Sequence, residues 1–290
     1  MAEAALTGRD KLTVLADAPL VTFGSWLEQL IAESSGKDGK GIVPVDREPL
    51  GEPVVYGEDR LFAYLRQTGE FDDRLEGLRA AGHPVLVINV PTTYDLGAEF
   101  YRWEVATAVA CHILGVNAFD QPNVEDAKLR AKAQIAAYQA SGQLGVGDFV
   151  TLREAKSKLK KFLKASKSGD YVAILAYLPR EKEAITALQG LRVAIRDKTK
   201  HAVTLGFGPR FLHSTGQLHK GGANNGLFLQ ITADPVEDFE IPTQGLSFGT
   251  LELAQALGDY EALKANERKV LRIHLPRPDE VEKLKDLLAH

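Results

Sequence analysis

The sequence predicts an α/β protein with a doubly wound, mainly parallel sheet in a three-layer αβα sandwich, together with a second α/β unit. Short apolar runs alternate with amphipathic stretches of roughly 12 to 18 residues, as strands alternate with crossover helices. The run PVLVINVP is apolar on both faces, which is typical of the centre of a parallel sheet. These observations favour right-handed βαβ units with helices on both sheet faces. We place the two predicted units at residues 1–145 and 146–290.

The elements of the first unit follow from hydrophobic period and from glycine and proline positions. KLTVLAD is predicted to be a strand, and TFGSWLEQLIAESSG a helix that ends at Gly36, because Phe23, Trp26 and Leu27 recur at helical spacing. KDGKGIVPVDREPLGEPVVYG is rich in Gly, Pro and charge and is predicted to be a long functional loop. The remaining predictions are a helix at RLFAYLRQTG, a central strand at PVLVINVP, and helices at GAEFYRWEVATAVACHILG and NAFDQPNVEDAKLRAKAQIAAYQASG, the latter with Pro122 near its first turn.

The second unit repeats the alternation. TLREAKSKLKKFLKAS is predicted to be a basic amphipathic helix whose lysines, from Lys156 to Lys164, face solvent. SKSGD has the composition of a sugar-phosphate loop, but it precedes a strand and is predicted to be a helix end and a turn. The other predictions are strands at DYVAILAYL, AVTLGF, GLFLQITA and VLRIHLP, and helices at EKEAITALQGLRVAIRDKT, TLELAQALGDYEAL and PDEVEKLKDLL.

The composition excludes several classes of function. The net charge of -4 supplies no basic field for nucleic acid. Cys111 is the only cysteine, which excludes an intrachain disulfide and a multi-cysteine metal site and fits a cytoplasmic location. No apolar run approaches the roughly 18 residues of a membrane span, and the N-terminal stretch lacks the pattern of a signal peptide. We therefore expect neither a nucleic-acid nor a membrane partner.

Two glycine-rich stretches raise the question of a metal or nucleotide site. In FLHSTGQLHKGGANNG, His213 and His219 lie six residues apart, but no carboxylate or third imidazole is close in sequence, so no metal is expected there. AESSGKDGKG lacks the Walker spacing of a nucleotide-hydrolysing loop.

Three segments together are more specific: WLEQLIAESSGKDGKGIVP, LGVNAFDQPNVEDAK and LHSTGQLHKGG. They resemble glucose-6-phosphate isomerase, and most closely its C-terminal sugar isomerase (SIS) domain in the form that is fused behind transaldolase. The match runs from about residue 10 to residue 135, and residues 145–290 look like the rest of the same fusion-type isomerase. The resemblance implies an SIS-like fold, a sugar-phosphate substrate, no cofactor and no metal. It also implies a homodimer, because in this family a site borrows its histidine from the neighbouring subunit.

The resemblance assigns the proton-transfer residue. Glu33 falls at the position of the family's catalytic base. Interconversion of glucose 6-phosphate and fructose 6-phosphate moves a proton between C2 and C1 through a cis-enediolate, and one carboxylate can do this as a general acid and base. A partly buried glutamate at a helix end beside a loop suits that role, because burial raises the pKa of a carboxyl group.

The same resemblance assigns the other site residues. Gln121 and Lys128 match the family's glutamine and lysine, and their seven-residue spacing puts both on one helical face. His213 matches the ring-opening histidine, which makes Lys128 and His213 the expected acid and base for opening the cyclic sugar. Gln121, Ser214 and Gln217 are expected to bind substrate.

Two departures from the family pattern bear on activity. In bacterial relatives the histidine follows the glutamate closely, whereas here VVYGEDRLFAYLR contains none, Arg60 being the nearest candidate. The histidine segment instead follows Lys128, so we expect a site reassembled from a displaced element, with His219 structural or at the rim. In addition, no counterpart of the family's N-terminal phosphate loop and arginine precedes Glu33. The chain is therefore expected to be the C-terminal part of a longer enzyme, lacking an N-terminal SIS or transaldolase segment.

Two other functions stay open on the sequence. One is a non-catalytic sugar-phosphate binding or regulatory module of the SIS type, and the other is a domain that supports a fused transaldolase. The transaldolase reaction itself is not expected, since no eightfold βα pattern is present.

Overall fold

A computed structural model describes residues 1–145 and 147–288 and confirms an α/β fold built on parallel sheets. The predicted boundary residue Val146 and residues 289–290 lie outside the described part of the chain. The helices and strands, in chain order, are α1 (Ala2–Leu6), β1 (Lys11–Ala16), α2 (Val21–Ser35), β2 (Val43–Asp46), β3 (Arg60–Arg66), α3 (Asp72–Ala80), β4 (Val85–Asn89), α4 (Leu96–Leu114), α5 (Val124–Ser141), β5 (Val150–Thr151), α6 (Leu152–Lys164), β6 (Tyr171–Tyr177), α7 (Lys182–Thr199), β7 (Ala202–Phe207), α8 (Gly216–Gly221), β8 (Gly226–Ala233), β9 (Glu240–Ile241), β10 (Leu246–Ser247), α9 (Phe248–Ala265) and β11 (Lys269–Leu275).

The chain forms two compact units that interleave along the sequence. Unit 1 comprises Met1–Pro122, Arg196–Thr204 and Ser214–Ala223, and unit 2 comprises Asn123–Ile195, Leu205–His213 and Asn224–His290. Helix α7 and strand β7 therefore each contribute residues to both units. The sequence-based boundary at 145 and 146 stays a prediction.

Unit 1 is built on a four-stranded parallel sheet with the order β2-β1-β3-β4. Helix α2 is the crossover between the parallel neighbours β1 and β2, so its carboxyl end returns to the side of the sheet where the amino ends of the strands lie. Side chains of α2 and α4 cover one face of the sheet: Phe23 and Trp26 pack against Phe100 with ring centroids 4.9 and 4.5 Å away. This packing fixes the direction in which α2 leaves the sheet.

The predicted helix at RLFAYLRQTG is wrong, because this segment is strand β3 in the middle of the sheet. Leu61, Ala63 and Leu65 enter one apolar core, whereas Phe62 and Tyr64 enter another core on the opposite face. A strand with both faces buried shows an unbroken apolar run, which local periodicity does not separate from a helix.

Two further predictions for unit 1 need correction. PVLVINVP forms a strand as predicted, but β4 lies at the sheet edge and not at its centre, and Leu86 and Val87 are exposed. The predicted long loop contains strand β2 and a short 3₁₀ turn at Pro53–Val55.

Unit 2 has a five-stranded sheet with the order β5-β11-β8-β6-β7, in which β8 pairs in parallel with both β6 and β11. All seven residues of β6 are buried, as DYVAILAYL predicts. Helix α6 forms as predicted, and its lysines from Lys156 to Lys164 are exposed. SKSGD is a helix end and a turn, also as predicted. The segment PDEVEKLKDLL is helical, but it forms a 3₁₀ helix over Pro278–Leu287.

The histidine segment is not the loop that its glycines suggest. A 3₁₀ turn covers Arg210–His213, and the short helix α8 covers Gly216–Gly221. The two parts belong to different units, since unit 2 includes His213 and unit 1 begins again at Ser214.

Candidate functional site

Glu33 lies in the last turn of α2, in unit 1, and its side chain is partly buried. The amide nitrogen Nε2 of Gln29, one helical turn earlier, donates a hydrogen bond to Glu33 Oε2 at 3.1 Å. Helix α2 ends at Gly36, whose backbone N–H donates to the carbonyl of Ala32. The carboxylate is thus oriented by its own helix while part of it remains open to a ligand.

The turn that follows α2 is packed tightly against α8, within unit 1. A Cβ atom on Gly36 would lie 2.3 Å from Leu218 Cα, so no larger residue fits there. The side chain of Gln217, which is fully buried, donates from Nε2 to the carbonyl of Gly36 at 2.9 Å. The N–H of Gly39 donates to the carbonyl of Gly221 at 2.9 Å. Two of the three segments that resemble the isomerase therefore contact each other beside Glu33.

The third segment is attached to the same turn by two lysines. Lys37 is 1% exposed; its ammonium group pairs with the Asp120 carboxylate at 2.9 Å and also donates to the Asp120 carbonyl. Lys40 Nζ donates to the carbonyl of Leu114 at 2.7 Å. The hydrogen bond from Lys37 lowers the pKa of Asp120, so this carboxylate stays charged. Gln121, the next residue, is exposed.

We call Glu33, Gly36, Lys37, Asp120 and Gln217 the glutamate-end cluster. Sequence reasoning found Glu33 and Gln217 but missed Lys37 and Asp120. One signal for Lys37 was present in the sequence. This lysine directly follows the helix stop at Gly36, and a lysine that is buried at such a position needs an acidic or carbonyl partner.

The predicted site residues are distributed over both units. Unit 1 holds Glu33, Gln121, Ser214 and Gln217, of which Ser214 and Gln217 are buried. Unit 2 holds Lys128, on α5, and His213, at the end of the 3₁₀ turn, and both side chains are exposed. The predicted helical face shared by Gln121 and Lys128 is wrong, because Gln121 precedes the first residue of α5.

The second histidine of the segment has different surroundings. His219 lies on α8 in unit 1 and is only 2% exposed. It shares this short helix with Gln217, whose amide holds the turn after Glu33.

Arg60, the residue nearest to the family's usual histidine position, is part of the core of unit 1. Its side chain is fully buried, pairs with the buried Glu48 carboxylate at 3.2 Å and donates to Thr13 Oγ1 at 2.7 Å. The guanidinium also lies over the Tyr56 ring, 5.2 Å from its centroid. These contacts give Arg60 a structural role at the amino ends of β1 and β3.

At the carboxyl ends of β1 and β3, a cradle of backbone N–H groups is occupied by the carboxylate of Asp17. Asp17, directly after β1 and fully buried, accepts hydrogen bonds from the N–H groups of the loop after β3 and from the Tyr64 hydroxyl. Burial opposes ionisation, but these hydrogen bonds outweigh it and lower the pKa of Asp17. The donors in the loop are the N–H groups of Gln67, Thr68, Gly69 and Glu70. A phosphate cannot enter this cradle without displacing Asp17.

The described residues contain neither a metal-binding cluster nor a membrane-spanning helix. Over 1–145 and 147–288, no group of three or more His, Cys, Asp or Glu side chains is placed to hold a metal ion. No helix in the described part of the chain is both long and apolar enough to cross a membrane.

Comparison with known proteins gives partial matches. No family model matches the chain. The chain is 32% identical over 143 residues to a glucose-6-phosphate isomerase of Pediococcus pentosaceus, covering 36% of this chain and 32% of that protein. It is 30% identical over 155 residues to one of Bacillus thuringiensis, covering 40% and 34%. The chain therefore spans about a third of the length of the curated relatives it matches.

Solved structures align over most of the chain at low similarity. A hypothetical protein from Thermus thermophilus aligns with 98% of this chain and 77% of its own, at 16% identity and a TM-score of 0.38. The C-terminal domain of glucosamine-fructose-6-phosphate aminotransferase from Francisella tularensis aligns with 99% and 84%, at 12% identity and a TM-score of 0.28.

Proposed function

We propose that the chain is the C-terminal part of a sugar-phosphate isomerase that interconverts glucose 6-phosphate and fructose 6-phosphate. One observation carries the proposal. Gly36 and Lys37 join three segments, far apart in sequence, in one cluster at the end of the helix that bears Glu33. The partial identity to glucose-6-phosphate isomerases, at 30 to 32%, supports the same reaction class.

In the proposed reaction Glu33 removes the proton from C2 of the open-chain sugar and returns it to C1 through a cis-enediolate. Its partial exposure leaves it accessible, and the Gln29 amide orients it. The bound ammonium group of Lys37 and the buried turn keep the backbone after Glu33 fixed, which limits the motion that would misplace the carboxylate.

The remaining roles belong to the same proposal. Lys128 and His213 open the cyclic sugar, and Gln121 and Ser214 bind the substrate. Gln217 contributes by holding Gly36, to which its amide is bonded. The enzyme acts in the cytoplasm as a homodimer, with the phosphate of the substrate bound by an N-terminal SIS segment of a longer polypeptide that also carries transaldolase.

The proposal is tested with a coupled assay that converts fructose 6-phosphate to glucose 6-phosphate. The assay compares this chain alone with the chain fused behind the first two thirds of the Pediococcus pentosaceus isomerase. Each form is made unmutated, as Glu33→Gln, and as Glu76→Gln, a control that changes an exposed glutamate of α3 in the same unit. Glu33→Gln is expected to lower kcat about 10²- to 10⁴-fold, since it removes the general base, and Glu76→Gln is expected to leave it unchanged.

Three results would contradict the proposal in different ways. Turnover that survives Glu33→Gln would remove Glu33 as the base. No turnover in either form, with glucose 6-phosphate still bound in calorimetry, would favour a non-catalytic binding module. Neither turnover nor binding would exclude a sugar-phosphate function for these segments.

A further inference from the structure

Unit 2 contains a cavity of about 560 Å³ that the proposed isomerase chemistry does not use. It lies beyond the carboxyl ends of β6, β8 and β11, which end at Tyr177, Ala233 and Leu275. Strands β7 and β8 lie on opposite sides of β6, so the chain reverses its direction of strand addition there. Open parallel sheets bind ligands at this switch point, and the volume is within the usual range for small-molecule pockets, roughly 300 to 1,000 Å³.

A buried polar group without a partner lines this cavity. Tyr177 is 3% exposed, and its hydroxyl oxygen has no hydrogen-bond partner among the residues that the structure describes. Burial, followed by the nearby Asp259 and Glu252 carboxylates, raises the pKa of Tyr177, so the hydroxyl is neutral. A buried hydroxyl that is left without a hydrogen bond destabilises the folded chain. Such a group is typical of a site at which a ligand supplies the missing hydrogen bond.

Glu252, from the first turns of α9, also lines the cavity and is near enough to contribute to the raised pKa of Tyr177. Burial raises the pKa of Glu252, and no cation among the described residues lowers it again. The cavity is therefore lined by a carboxylate and by a tyrosine whose hydroxyl oxygen can still accept a hydrogen bond.

The rest of the lining is mostly apolar or acidic. Among the lining residues that the structure describes, Arg277 is the only cation, and it already pairs with Asp279 at 3.0 Å. Apolar side chains such as Ala184, Leu253 and Val281 form the walls. The carboxylates of the lining come from Glu181, Glu183, Glu237, Glu252, Asp279 and Glu282. Such a field repels phosphorylated sugars and attracts cations.

The amino end of α9, which borders the cavity, is not available to an anion either. The Asp238 carboxylate accepts from the N–H of Gly249 at 2.8 Å, and Ser247 Oγ accepts from the N–H of Thr250 at 3.1 Å. The chain itself thus neutralises the N–H groups that would otherwise bind phosphate. These bonds also hold the turn from which Glu252 projects.

We propose that this cavity binds a small organic cation, an ammonium group on a compact apolar body, with Glu252 and Tyr177 accepting the N–H donors of the ammonium group. The apolar walls cover the body of the ligand, and the acidic rim attracts it from solution. This site is separate from the glutamate-end cluster and does not depend on the proposed isomerase activity.

The test uses three probes that share one apolar body and differ in charge: tryptamine, a cation, tryptophol, which is neutral, and indole-3-acetate, an anion. Their affinities for the whole chain are measured by isothermal titration calorimetry. Tryptamine is expected to bind at least about tenfold more tightly than tryptophol, since one charge pair in a partly desolvated site is worth 1.4 kcal/mol or more. Indole-3-acetate is expected to bind most weakly.

Three variants locate the binding. Glu252→Gln is expected to weaken tryptamine about tenfold and to change tryptophol less than about twofold. Tyr177→Phe, which keeps the ring, is expected to weaken tryptamine about two- to tenfold, the value of one neutral hydrogen bond. Glu240→Gln, an exposed glutamate of unit 2 outside the cavity lining, is the matched control and is expected to leave all three affinities unchanged.

A tryptamine preference that falls in Glu252→Gln and Tyr177→Phe, with both variants folded by circular dichroism, supports the site. Equal affinity for the three probes, no saturable binding at millimolar concentration, or tryptamine binding that neither variant changes would overturn it.

Discussion

The two units share a parallel α/β architecture but differ in what they place at the carboxyl ends of their strands. In unit 1 these strand ends are closed to a ligand, because the Asp17 carboxylate already accepts hydrogen bonds from the backbone N–H groups of the loop after β3. In unit 2 the corresponding strand ends are open and hold a cavity lined by Glu252 and by Tyr177, whose hydroxyl has no hydrogen-bond partner among the described residues. A shared parallel α/β architecture thus leads to opposite outcomes, decided by single side chains.

The proposed catalytic carboxylate of unit 1, Glu33, lies toward the opposite ends of the strands. Helix α2 carries Glu33 back to the amino ends of the strands, where Lys37 and Gln217 fix the following turn. Polar groups that have hydrogen-bond partners stabilise the folded structure. A buried polar group without a partner leaves free energy that a ligand can gain by supplying the missing hydrogen bond. Four sets of substitutions follow, from the largest expected effect to the smallest.

The largest effect is expected from the buried ion pair of unit 1. Arg60→Met leaves the Glu48 carboxylate charged and buried, and should lower the free energy of unfolding by about 3 to 5 kcal/mol. Urea unfolding measures this value. Lys269→Met in unit 2 is the control: its lysine is partly exposed, and its partner Asp170, at 3.2 Å, keeps the hydrogen bond from the N–H of Lys167, so the loss should be less than about 1 kcal/mol.

The double variant sharpens the result. Arg60→Met combined with Glu48→Leu removes both charges, so at least half of the lost stability should return. Equal losses of stability in Arg60→Met and Lys269→Met would contradict this prediction, since the buried ion pair of unit 1 would then stabilise the chain no more than the partly exposed pair of unit 2.

The second effect concerns the packing that builds the glutamate-end cluster. Gly36→Ala places a Cβ atom 2.3 Å from Leu218 Cα, a contact that only backbone movement can relieve, and should cost about 2 to 4 kcal/mol. Gly97→Ala is the control: it lies in α4 with open space around it and should stabilise by up to about 1 kcal/mol. If both variants unfolded at the same urea concentration, α8 would not be packed on Gly36.

The third effect tests the closed edge of unit 1. Asp17→Asn removes the charge and turns amide hydrogens toward backbone N–H donors, which should cost about 2 to 3 kcal/mol. Asp73→Asn, an exposed aspartate of α3, should change stability by less than about 0.5 kcal/mol. A loss in Asp17→Asn no larger than that control would mean that the cradle is not held by Asp17.

The low folded-state pKa of Asp17 also predicts a pH dependence. A carboxyl group with a depressed folded pKa stabilises above its unfolded pKa of about 3.9, and the contribution is lost as the pH falls toward the folded value. The unmutated chain should therefore lose stability below about pH 5 more steeply than Asp17→Asn does. Parallel curves for the two proteins would contradict this assignment.

The sequence predicts those parts of the fold that depend on local pattern. Helix α2 with its stop at Gly36 and the fully buried strand β6 form as predicted, because long periodic or wholly apolar runs specify one conformation. Strand β3 was predicted as a helix because a short apolar run fits both periods, and only the cores on its two faces decide. The edge position of β4 depends on strand order, which no local pattern contains.

The candidate site shows the same limit. A glutamate before a glycine-rich stop is visible in the sequence, but the bond from Lys37 to Asp120 joins residues 83 positions apart and exists only once the chain is folded. The cavity of unit 2 was not predicted at all, since its lining comes from segments after three separate strands.

The smallest effect is the most direct test of the comparison, because it makes one chemical change in each unit. Tyr64 and Tyr177 are both buried tyrosines, and burial raises the pKa of each. The Tyr64 hydroxyl donates to Asp17 and accepts from the N–H of Phe71, so Tyr64→Phe should cost about 1 to 2 kcal/mol. The Tyr177 hydroxyl has no hydrogen-bond partner among the described residues, so Tyr177→Phe should leave stability unchanged or raise it by up to about 1 kcal/mol.

Both changes in the free energy of unfolding are measured by urea unfolding without ligand. A loss in Tyr177→Phe as large as that in Tyr64→Phe would mean that its hydroxyl is already paired, and the edge of unit 2 would then be as closed as that of unit 1.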